Sequence, residues 1–408
     1  MKQINIYGDN YNDTVTNGND TITISGSTAQ YVVGGAGDDY IHLTETGKVA
    51  TGLSGQDGND TIIADGELQW ISADNGDDSI IVSGNIKNIN GGNGNDYIEL
   101  KESGIVTEAI GGLAGNDSII VSGSVTNDIS GADGDDTIIL NSSGNKAYGG
   151  DASTDTSISD VVYDNSTNNT VTGFELVYGT DSTAIIKKNQ TITLDIDGMR
   201  YDVKNTGTSD ATLNFVKDEN GQITFESESG TFEITAHSGQ EDNVLIDGQH
   251  ISFYAGDLDD TIVVEAYGYA SYINGGDGND SIVNNGTVNV GISGNAGDDS
   301  IVNNGTVERI DGYYGNDYIE NNGTVEGSLD GDAGDDSIVN EGYVFSISGD
   351  AGNDLIVNSG SIHLGIYGDD GADTITNAAN ASIGDDIYGG AGDDSIVNNG
   401  NIDRGYVS

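Results

Sequence analysis

Aspartate recurs at near-regular intervals along this 408-residue chain, each time inside a short glycine-rich pattern. Residues 34–41 read GGAGDDYI and residues 275–282 read GGDGNDSI, so one eight-position template, G-x-x-G-[DN]-D-[STY]-I, covers both. Carboxylates and the main-chain carbonyls exposed by glycine turns are the oxygen ligands that hard divalent cations select. The repeated turn therefore predicts metal-ion chemistry.

We name the aspartate at template position six the marker Asp. Successive markers are 18 to 21 residues apart within each half of the chain. The fourteen markers are Asp39, Asp60, Asp78, Asp96, Asp117, Asp136, Asp260, Asp280, Asp299, Asp317, Asp336, Asp354, Asp373 and Asp394. Asp20 is a half-formed copy, and Asp155 lies in a loop with Ser153 where template glycine four belongs.

Two short apolar runs separate one marker from the next. Residues 299–312, DSIVNNGTVERIDG, contain an apolar run, an Asn-Gly turn, a second apolar run and a glycine-rich turn. The runs are short and rich in Ile and Val, which favours strands over helix. Each unit of about 19 residues is one coil of a solenoid, whose coils stack to bury their apolar faces. The absence of proline fits parallel stacking, because every coil must donate backbone hydrogen bonds to the next.

Stacked carboxylate turns bring like charges together at about 4.8 Å, the spacing of neighbouring strands. Such charges repel unless a cation intervenes. Calcium takes six to eight oxygen ligands with loose geometry, whereas magnesium demands a tight octahedron. Transition metals fit poorly because the chain has four histidines: His42, His237, His250 and His363. We therefore expect the markers to bind several Ca²⁺ ions, with folding coupled to binding.

The template resembles the calcium-binding nonapeptide G-G-x-G-x-D-x-U-x of the repeats-in-toxin family over residues 17–150 and 255–400. The resemblance implies a parallel β-roll in which the sixth-position Asp and turn carbonyls bind calcium between coils. It also implies an inward residue at position eight, as in Ile41, Ile98, Ile282 and Ile396. One signature per coil predicts calcium along one edge, similar to the calcium-dependent ice-binding modules of giant bacterial adhesins.

Several copies depart from the family pattern. Its first or second glycine is replaced by Gln56, Ala73, Asp74, Leu113, Tyr313 and Asp350. Leu258 stands where the glycine before Asp260 is expected, which puts that site in doubt. Ala372 precedes Asp373 and removes one carboxylate, but the marker remains.

The repeat stops in mid-chain, where most of the phenylalanines lie. We predict an all-β fold with two parallel β-roll or β-solenoid segments interrupted by a small antiparallel β-rich module. The predicted domains are a calcium roll at 1–157, an insertion or cap at 158–250 and a second calcium roll at 251–408. Hairpin turns are expected at Asp197-Gly198 and at Glu219-Asn220-Gly221. Further strands are expected at 231–236 and 243–254.

The edge opposite the markers is polar but uncharged in the second half. It carries Asn284-Asn285-Gly286, Asn303-Asn304-Gly305, Asn321-Asn322-Gly323 and Asn398-Asn399-Gly400. Stacked amides predict a hydrogen-bonded ladder along the solenoid. A recognition surface is the alternative.

Composition excludes several classes of protein. Asp and Glu number 68 against 12 Lys and Arg, a formal charge of −56, so nucleic acid is excluded as a partner. Without cysteine, disulfides and thiolate sites are absent. We find no apolar run long enough to cross a membrane, and residues 1–14 lack the apolar stretch of a secretory signal peptide.

Catalysis is not expected. His237, His250, Glu241 and Asp242 fall in the interruption, but no hydrolase or metalloprotease motif frames them. We predict a non-enzymatic bacterial protein, secreted or displayed on the cell surface. It would be a scaffold, an adhesin or a surface-layer segment with calcium as its ligand, contacting other surface proteins or its own copies through calcium bridges.

The resemblance also implies export by type I secretion. One alternative is the non-catalytic repeat region of a secreted hydrolase or toxin. A further alternative is ice binding, which the sequence disfavours because the position before template glycine four holds no Thr in the first six complete copies: Ala36, Asp57, Asn75, Asn93, Ala114 and Asp133.

Overall fold

A computed structural model describes residues 3–6, 12–14, 18–26, 28–150, 160–165, 169–172, 174, 176–179, 181–227, 230–404 and 407. These residues form strands and turns and contain no helix, so the predicted all-β class is confirmed. The chain divides into two compact units, residues 1–187 with 192–198 and residues 188–191 with 199–408. Each unit is a β-solenoid of coils about 19 residues long.

In the first unit, one sheet is built from the strands that follow the markers, and a second from the strands that lead into the glycine-rich turns. The marker-side strands are Gln3–Ile6, Thr21–Ile24, Tyr40–Leu43, Thr61–Ala64, Ser79–Val82, Tyr97–Leu100, Ser118–Val121, Thr137–Leu140, Val161–Asp164, Leu176–Gly179 and Thr191–Ile196. The turn-side strands are Asn12–Thr14, Thr28–Ala36, Lys48–Asp57, Trp70–Asn75, Asn88–Asn93, Ile110–Ala114, Asp128–Asp133, Lys146–Tyr148, Asn169–Thr172 and Asp181–Ile186. Asn85–Ile86, Ile105–Val106 and Ser124–Val125 form a short third sheet.

The second unit repeats this arrangement. Its marker-side strands are Ala211–Lys217, Ile223–Glu226, Asn243–Ile246, Thr261–Val264, Ser281–Asn284, Ser300–Asn303, Tyr318–Asn321, Ser337–Asn340, Leu355–Asn358, Thr374–Asn377 and Ser395–Asn398. Its turn-side strands are Met199–Asn205, Phe232–Ala236, Gln249–Tyr254, Tyr269–Asp277, Thr287–Ala296, Thr306–Val307, Ile310–Tyr314, Thr324–Ala333, Tyr343–Ser348, Ser361–Ile362, Ile366–Asp370, Ser382–Ile383, Ile387–Ala391 and Asn401–Ile402.

Neighbouring coils pair in parallel and in register, so equivalent residues stack in columns. Ile282 pairs with Ile301, and Ile301 pairs with Ile319. Along marker-side strands such as Thr61–Ala64 and Ser281–Asn284, side chains alternate between the interior and the outer face, as strand geometry requires. The position-eight isoleucines predicted to point inward are buried at Ile41, Ile98 and Ile282, whereas Ile396 is half-buried.

Antiparallel pairing occurs twice among the described residues of the second unit. Met199–Asn205 pairs with Phe232–Ala236, and Ala211–Lys217 pairs with Ile223–Glu226. The second pair confirms the hairpin predicted at Glu219-Asn220-Gly221. At the other predicted turn, Asp197 and Gly198 both have positive φ, 56° and 88°, as a type I′ turn requires.

Parallel pairing extends into the region where the sequence repeat fades. Thr137–Leu140 pairs with Val161–Asp164 in the first unit, and Asn243–Ile246 pairs with Thr261–Val264 in the second. The domain boundaries proposed at 157/158 and 250/251 stay a prediction.

The predicted amide ladder is present on the edge opposite the markers in the second unit. The inner amide row consists of Asn284, Asn303, Asn321, Asn340, Asn358, Asn377 and Asn398. In this row, Nδ2 of each residue donates to Oδ1 of the next at 2.8 to 2.9 Å. The amides through Asn377 are fully buried. Half-buried Asn285 and exposed Asn304 and Asn322 form a second ladder beside it, with donation in the opposite direction.

The described part of the chain has no helix of the length and apolarity that a bilayer span needs.

Candidate functional site

Each marker Asp stands between a glycine-rich turn and the strand that follows it, and the markers of successive coils form a row. In all fourteen, Oδ1 accepts a hydrogen bond from the backbone N–H of the equivalent residue in the preceding coil, at 2.6 to 3.1 Å. The row thus continues the backbone ladder across the turn, where no strand pairing exists.

The second carboxylate oxygen of most markers has no hydrogen-bond partner. Among the described residues, this holds for Oδ2 of Asp39, Asp60, Asp78, Asp96, Asp117, Asp136, Asp280, Asp299, Asp317, Asp336, Asp354 and Asp373. These residues are at most 3% exposed. A buried carboxylate oxygen without a partner is costly, and such groups in proteins usually bind an ion or carry a proton.

The glycine at template position one explains why Oδ2 fits into the turn. A methyl group on Gly34 would overlap with Oδ2 of Asp39, and it would lie 3.0 Å from the carbonyl oxygen of Gly55 in the next coil. A methyl group on Gly331 would likewise overlap with Oδ2 of Asp336. Glycine leaves this space, which is lined by a carboxylate oxygen and a carbonyl oxygen, at twelve of the fourteen markers. Ala73 and Ala255 stand at position one before Asp78 and Asp260.

Burial raises the pKa of the thirteen markers from Asp39 to Asp373, and neighbouring carboxylates add to the effect. The pKa of Asp60 rises to about 7, that of Asp96 to about 7 and that of Asp336 to about 7. The pKa of Asp280 and that of Asp317 each rise to about 6. The charged form is therefore destabilised near neutral pH in the absence of a counter-ion.

Two markers differ from the others. The N–H of Gly256 donates to Oδ2 of Asp260 at 3.2 Å, so this oxygen has a partner. The sequence had put the Asp260 site in doubt because of Leu258. Asp394 is half-buried, and its Oδ1 accepts the longest bond of the row, 3.1 Å from the N–H of Asp373.

Sequence reasoning missed two members of the row. Asp160 accepts a hydrogen bond from the N–H of Asp136 at 2.8 Å, and the N–H of Asp242 donates to Asp260 at 2.7 Å. Neither has the glycine template before it, but both precede a short apolar run, which was the available signal. Asp20 belongs to the row, and Asp155 lies outside the described residues.

A second row lies on the exposed side of the turn at template position five. In this outer row, each side-chain Oδ1 accepts the N–H of the equivalent residue in the following coil at 2.7 to 3.1 Å. The direction is opposite to that of the markers. Asp and Asn largely alternate, as in Asp259, Asn279, Asp298, Asn316, Asp335 and Asn353. Alternation places carboxylates two coils apart, about 9.6 Å instead of about 4.8 Å.

The donors of the marker row suit a hard cation in type. Within the described residues, no group of three or more His, Cys, Asp or Glu side chains is arranged to hold a metal ion. Between two coils the row instead offers one free carboxylate oxygen and the carbonyl oxygen of position one. All are oxygen donors, which excludes metals that prefer nitrogen or sulfur. Further turn carbonyls would have to complete a calcium shell.

The acidic and histidine side chains singled out in the interruption do not converge. Nε2 of His237 lies 3.1 Å from Asp202, although without hydrogen-bond geometry. Asp242 accepts a hydrogen bond from the Tyr201 hydroxyl at 2.8 Å, and the ring of His250 packs against Tyr269. The non-enzymatic assignment stays a prediction.

Comparison of the chain with protein-family models and with curated proteins finds no match.

Proposed function

We propose that the chain is a calcium-binding β-solenoid that acts outside the cell as a structural scaffold, as part of an adhesin or a surface layer. The observation that carries the proposal is the row of twelve buried Oδ2 atoms without partners. A divalent cation between coils would supply the missing partner and favour the charged form of each marker. Bound calcium would hold neighbouring turns together by neutralising their charge.

The ligands would be the markers together with turn carbonyls, in the gaps from Asp39 to Asp136 and from Asp280 to Asp394. Asp260 is the weakest candidate because Gly256 occupies its second oxygen. The net charge of −56 supports the same view, since a chain with so few cations of its own has to draw counter-ions from solution.

The scaffold role rests on regularity. Outside the two antiparallel pairs, the coils repeat the same parallel pairing, and both units bury a continuous column of Ile, Leu and Val. Such stacks hold their two ends at a fixed separation, which suits a spacer between a surface and a binding element.

The direct test is calcium titration of the full chain, followed by far-UV circular dichroism and by counting bound ions after equilibrium dialysis. We expect several ions per chain and a gain of β-structure, with a midpoint of about 10⁻⁴ to 10⁻³ M, as in extracellular modules. A folded chain in chelator that binds no calcium contradicts the proposal. A midpoint below the micromolar range contradicts the extracellular placement.

Adjacent residues of one turn provide a matched pair of variants. Asp336→Asn changes a marker, whereas Asp335→Asn removes the same charge from the outer row. Asn keeps an oxygen to accept the N–H bond of Asp317 but loses the free carboxylate oxygen. We expect Asp336→Asn to lose at least one bound ion and Asp335→Asn to lose none. Equal losses in the two variants would assign binding to general charge.

A further inference from the structure

Two tyrosines on successive coils of the second unit are stacked. Tyr367 and Tyr388 are register partners in the pair Ile366–Asp370 and Ile387–Ala391. Their ring centroids are 5.5 Å apart, and the ring planes differ by 10°. Parallel pairing therefore holds two phenols side by side, at the same depth on adjacent strands.

A second tyrosine pair, which is not in register, lacks the parallel arrangement of the rings. Tyr254 and Tyr272 have centroids 5.7 Å apart, but their planes differ by 49°. Tyr254 pairs with Asn274, so these two tyrosines meet diagonally. In addition, the Tyr272 hydroxyl is 2.7 Å from the hydroxyl of Ser293.

The stacked pair is accessible and has a proton acceptor. Tyr388 is 40% exposed. Its hydroxyl donates to Oδ2 of Asp386 at 2.6 Å, and this bond raises the pKa of Tyr388. Burial and the nearby carboxylates of Asp385 and Asp386 raise the pKa of Tyr367. Both phenols are therefore protonated at neutral pH, and loss of an electron from Tyr388 can be coupled to proton transfer to Asp386.

We propose that Tyr367 and Tyr388 form an intramolecular dityrosine cross-link when the chain meets a peroxidase-type oxidant. Each phenol loses one electron and one proton to become a phenoxyl radical, and the Tyr388 proton leaves through Asp386. The two radicals couple through the ring carbons next to the oxygens and form one C–C bond. The two hydrogens on those carbons then move to the oxygens as the rings regain aromaticity. Overall, two phenols and one hydrogen peroxide give one dityrosine and two waters.

The cross-link would join two coils covalently on a chain that has no cysteine for a disulfide. It would tie Ile366–Asp370 to Ile387–Ala391 across the strand pairing. The expected physical effect is that this part of the second unit opens less readily, because a covalent link limits the freedom of the unfolded chain.

The test treats the dilute full chain with a peroxidase and hydrogen peroxide, and then cleaves it before each aspartate. This cleavage separates Tyr367, in residues 354–368, from Tyr388, in residues 386–392. We expect a joined peptide whose mass is the sum of the two minus two hydrogen atoms, together with dityrosine fluorescence and an unchanged chain size. Tyr388→Phe should abolish the joined peptide, and Tyr254→Phe should leave its yield unchanged.

Cross-links at the most exposed tyrosines would indicate random oxidation instead. Tyr267 is 92% exposed and Tyr314 is 69% exposed, so random oxidation would favour them. Cross-links that map to these residues between chains, or a joined peptide that persists in Tyr388→Phe, would overturn the proposal. The cross-link depends on the folded pair of coils and not on a bound ion. A joined peptide from a chain that folds without calcium would therefore support this proposal even if the proposed function fails.

Discussion

The two units use different residues at the same place in the coil. Four positions after each marker, the first unit buries an apolar column of Leu43, Ala64, Val82, Leu100, Val121 and Leu140. The second unit buries the inner amide row at this position, from Asn284 to Asn377. Both columns stack in parallel at the strand spacing.

The comparison shows that the same interior position of a solenoid coil can be stabilised in two ways. The apolar column depends on burial, which is not directional. Each inner amide instead donates to the next coil, and Oδ1 of Asn284 also accepts the N–H of Gly286 at 3.0 Å. The amide row therefore fixes register through directional bonds, whereas the apolar column tolerates exchange of one apolar residue for another.

The largest expected effect is on what the two units share, the marker row. Because burial raises the pKa of Asp60 and Asp299 to about 7, the folded chain favours the protonated carboxyls. In chelator, this contribution to stability is complete below pH 4 and is lost as the pH rises through 6 to 7. We expect the urea midpoint to fall between pH 5 and pH 8 in chelator.

Calcium should cancel that fall, since the cation binds the charged carboxylates. The measurement is urea unfolding at constant ionic strength, with and without calcium. Trp70, the only tryptophan, reports on the first unit, and circular dichroism reports on the whole chain. A midpoint in chelator that is constant or rises over this range contradicts the expected titration.

The second largest effect on stability is expected when a residue of the amide row is replaced by an apolar residue, or a residue of the apolar column by Asn. Asn321→Leu removes the acceptor of the shortest hydrogen bond from the Asn303 amide and the donor to the side-chain oxygen of Asn340. Leu100→Asn buries an amide among apolar neighbours. Each should lower the free energy of unfolding by about 3 to 5 kcal/mol.

The free energy of unfolding of both variants is measured by urea unfolding in excess calcium. Val302→Thr is the control, because Val302 faces outward on the strand that carries Asn303 and should change stability by less than about 1 kcal/mol. Stability unchanged in Asn321→Leu would mean that the amide row contributes no more than an apolar column.

A pair of adjacent glycines tests the space beneath the markers. An added methyl at Gly112 would overlap with Oδ2 of Asp117, whereas one at Gly111 meets nothing closer than Leu113, at 3.5 Å. We expect Gly112→Ala to lower the free energy of unfolding by about 1 to 3 kcal/mol. Gly111→Ala should change it by less than about 0.5 kcal/mol. Equal effects, measured by Trp70 fluorescence, would mean that Asp117 adjusts freely.

The smallest effect concerns the outer row. Asn316→Asp places a new carboxylate between Asp298 and Asp335, while Asn116→Asp in the first unit gains one charged neighbour, Asp135. In chelator at low salt we expect a loss of about 0.5 to 1 kcal/mol for Asn316→Asp and less for Asn116→Asp. Salt should weaken both effects. Equal losses in the two variants would show that alternation does not set the charge spacing.

Much of the fold could be predicted from the sequence. Coil length, parallel strands, the inward isoleucines and the amide ladder all follow from a spacing that repeats, because stacked coils repeat the environment of each position. The marker row was predicted as a set of residues, but its hydrogen bonds were not. A turn pattern does not reveal that Oδ1 reaches the preceding coil.

The remaining members of the marker row and the hydrogen bonds of the outer row could not be predicted, because they depend on backbone geometry. Asp160 and Asp242 join the row through backbone geometry, without the glycine template that made the other markers visible. The alternation of Asp and Asn in the outer row can be read from the sequence, but the hydrogen bonds of this row, which run opposite to those of the markers, cannot. Calcium, export and surface location remain predictions.

The spacing between markers is less strict than the bonds that join them. Asp117 and Asp136 are 19 residues apart, Asp136 and Asp160 are 24 apart, and both pairs are joined by the same bond at 2.8 Å. Register shifts at Ala270/Tyr272 and at Val325/Ser328 also accommodate additional residues without displacing the row. Such coils can accept insertions during evolution, and foreign peptides could be grafted at these points for display.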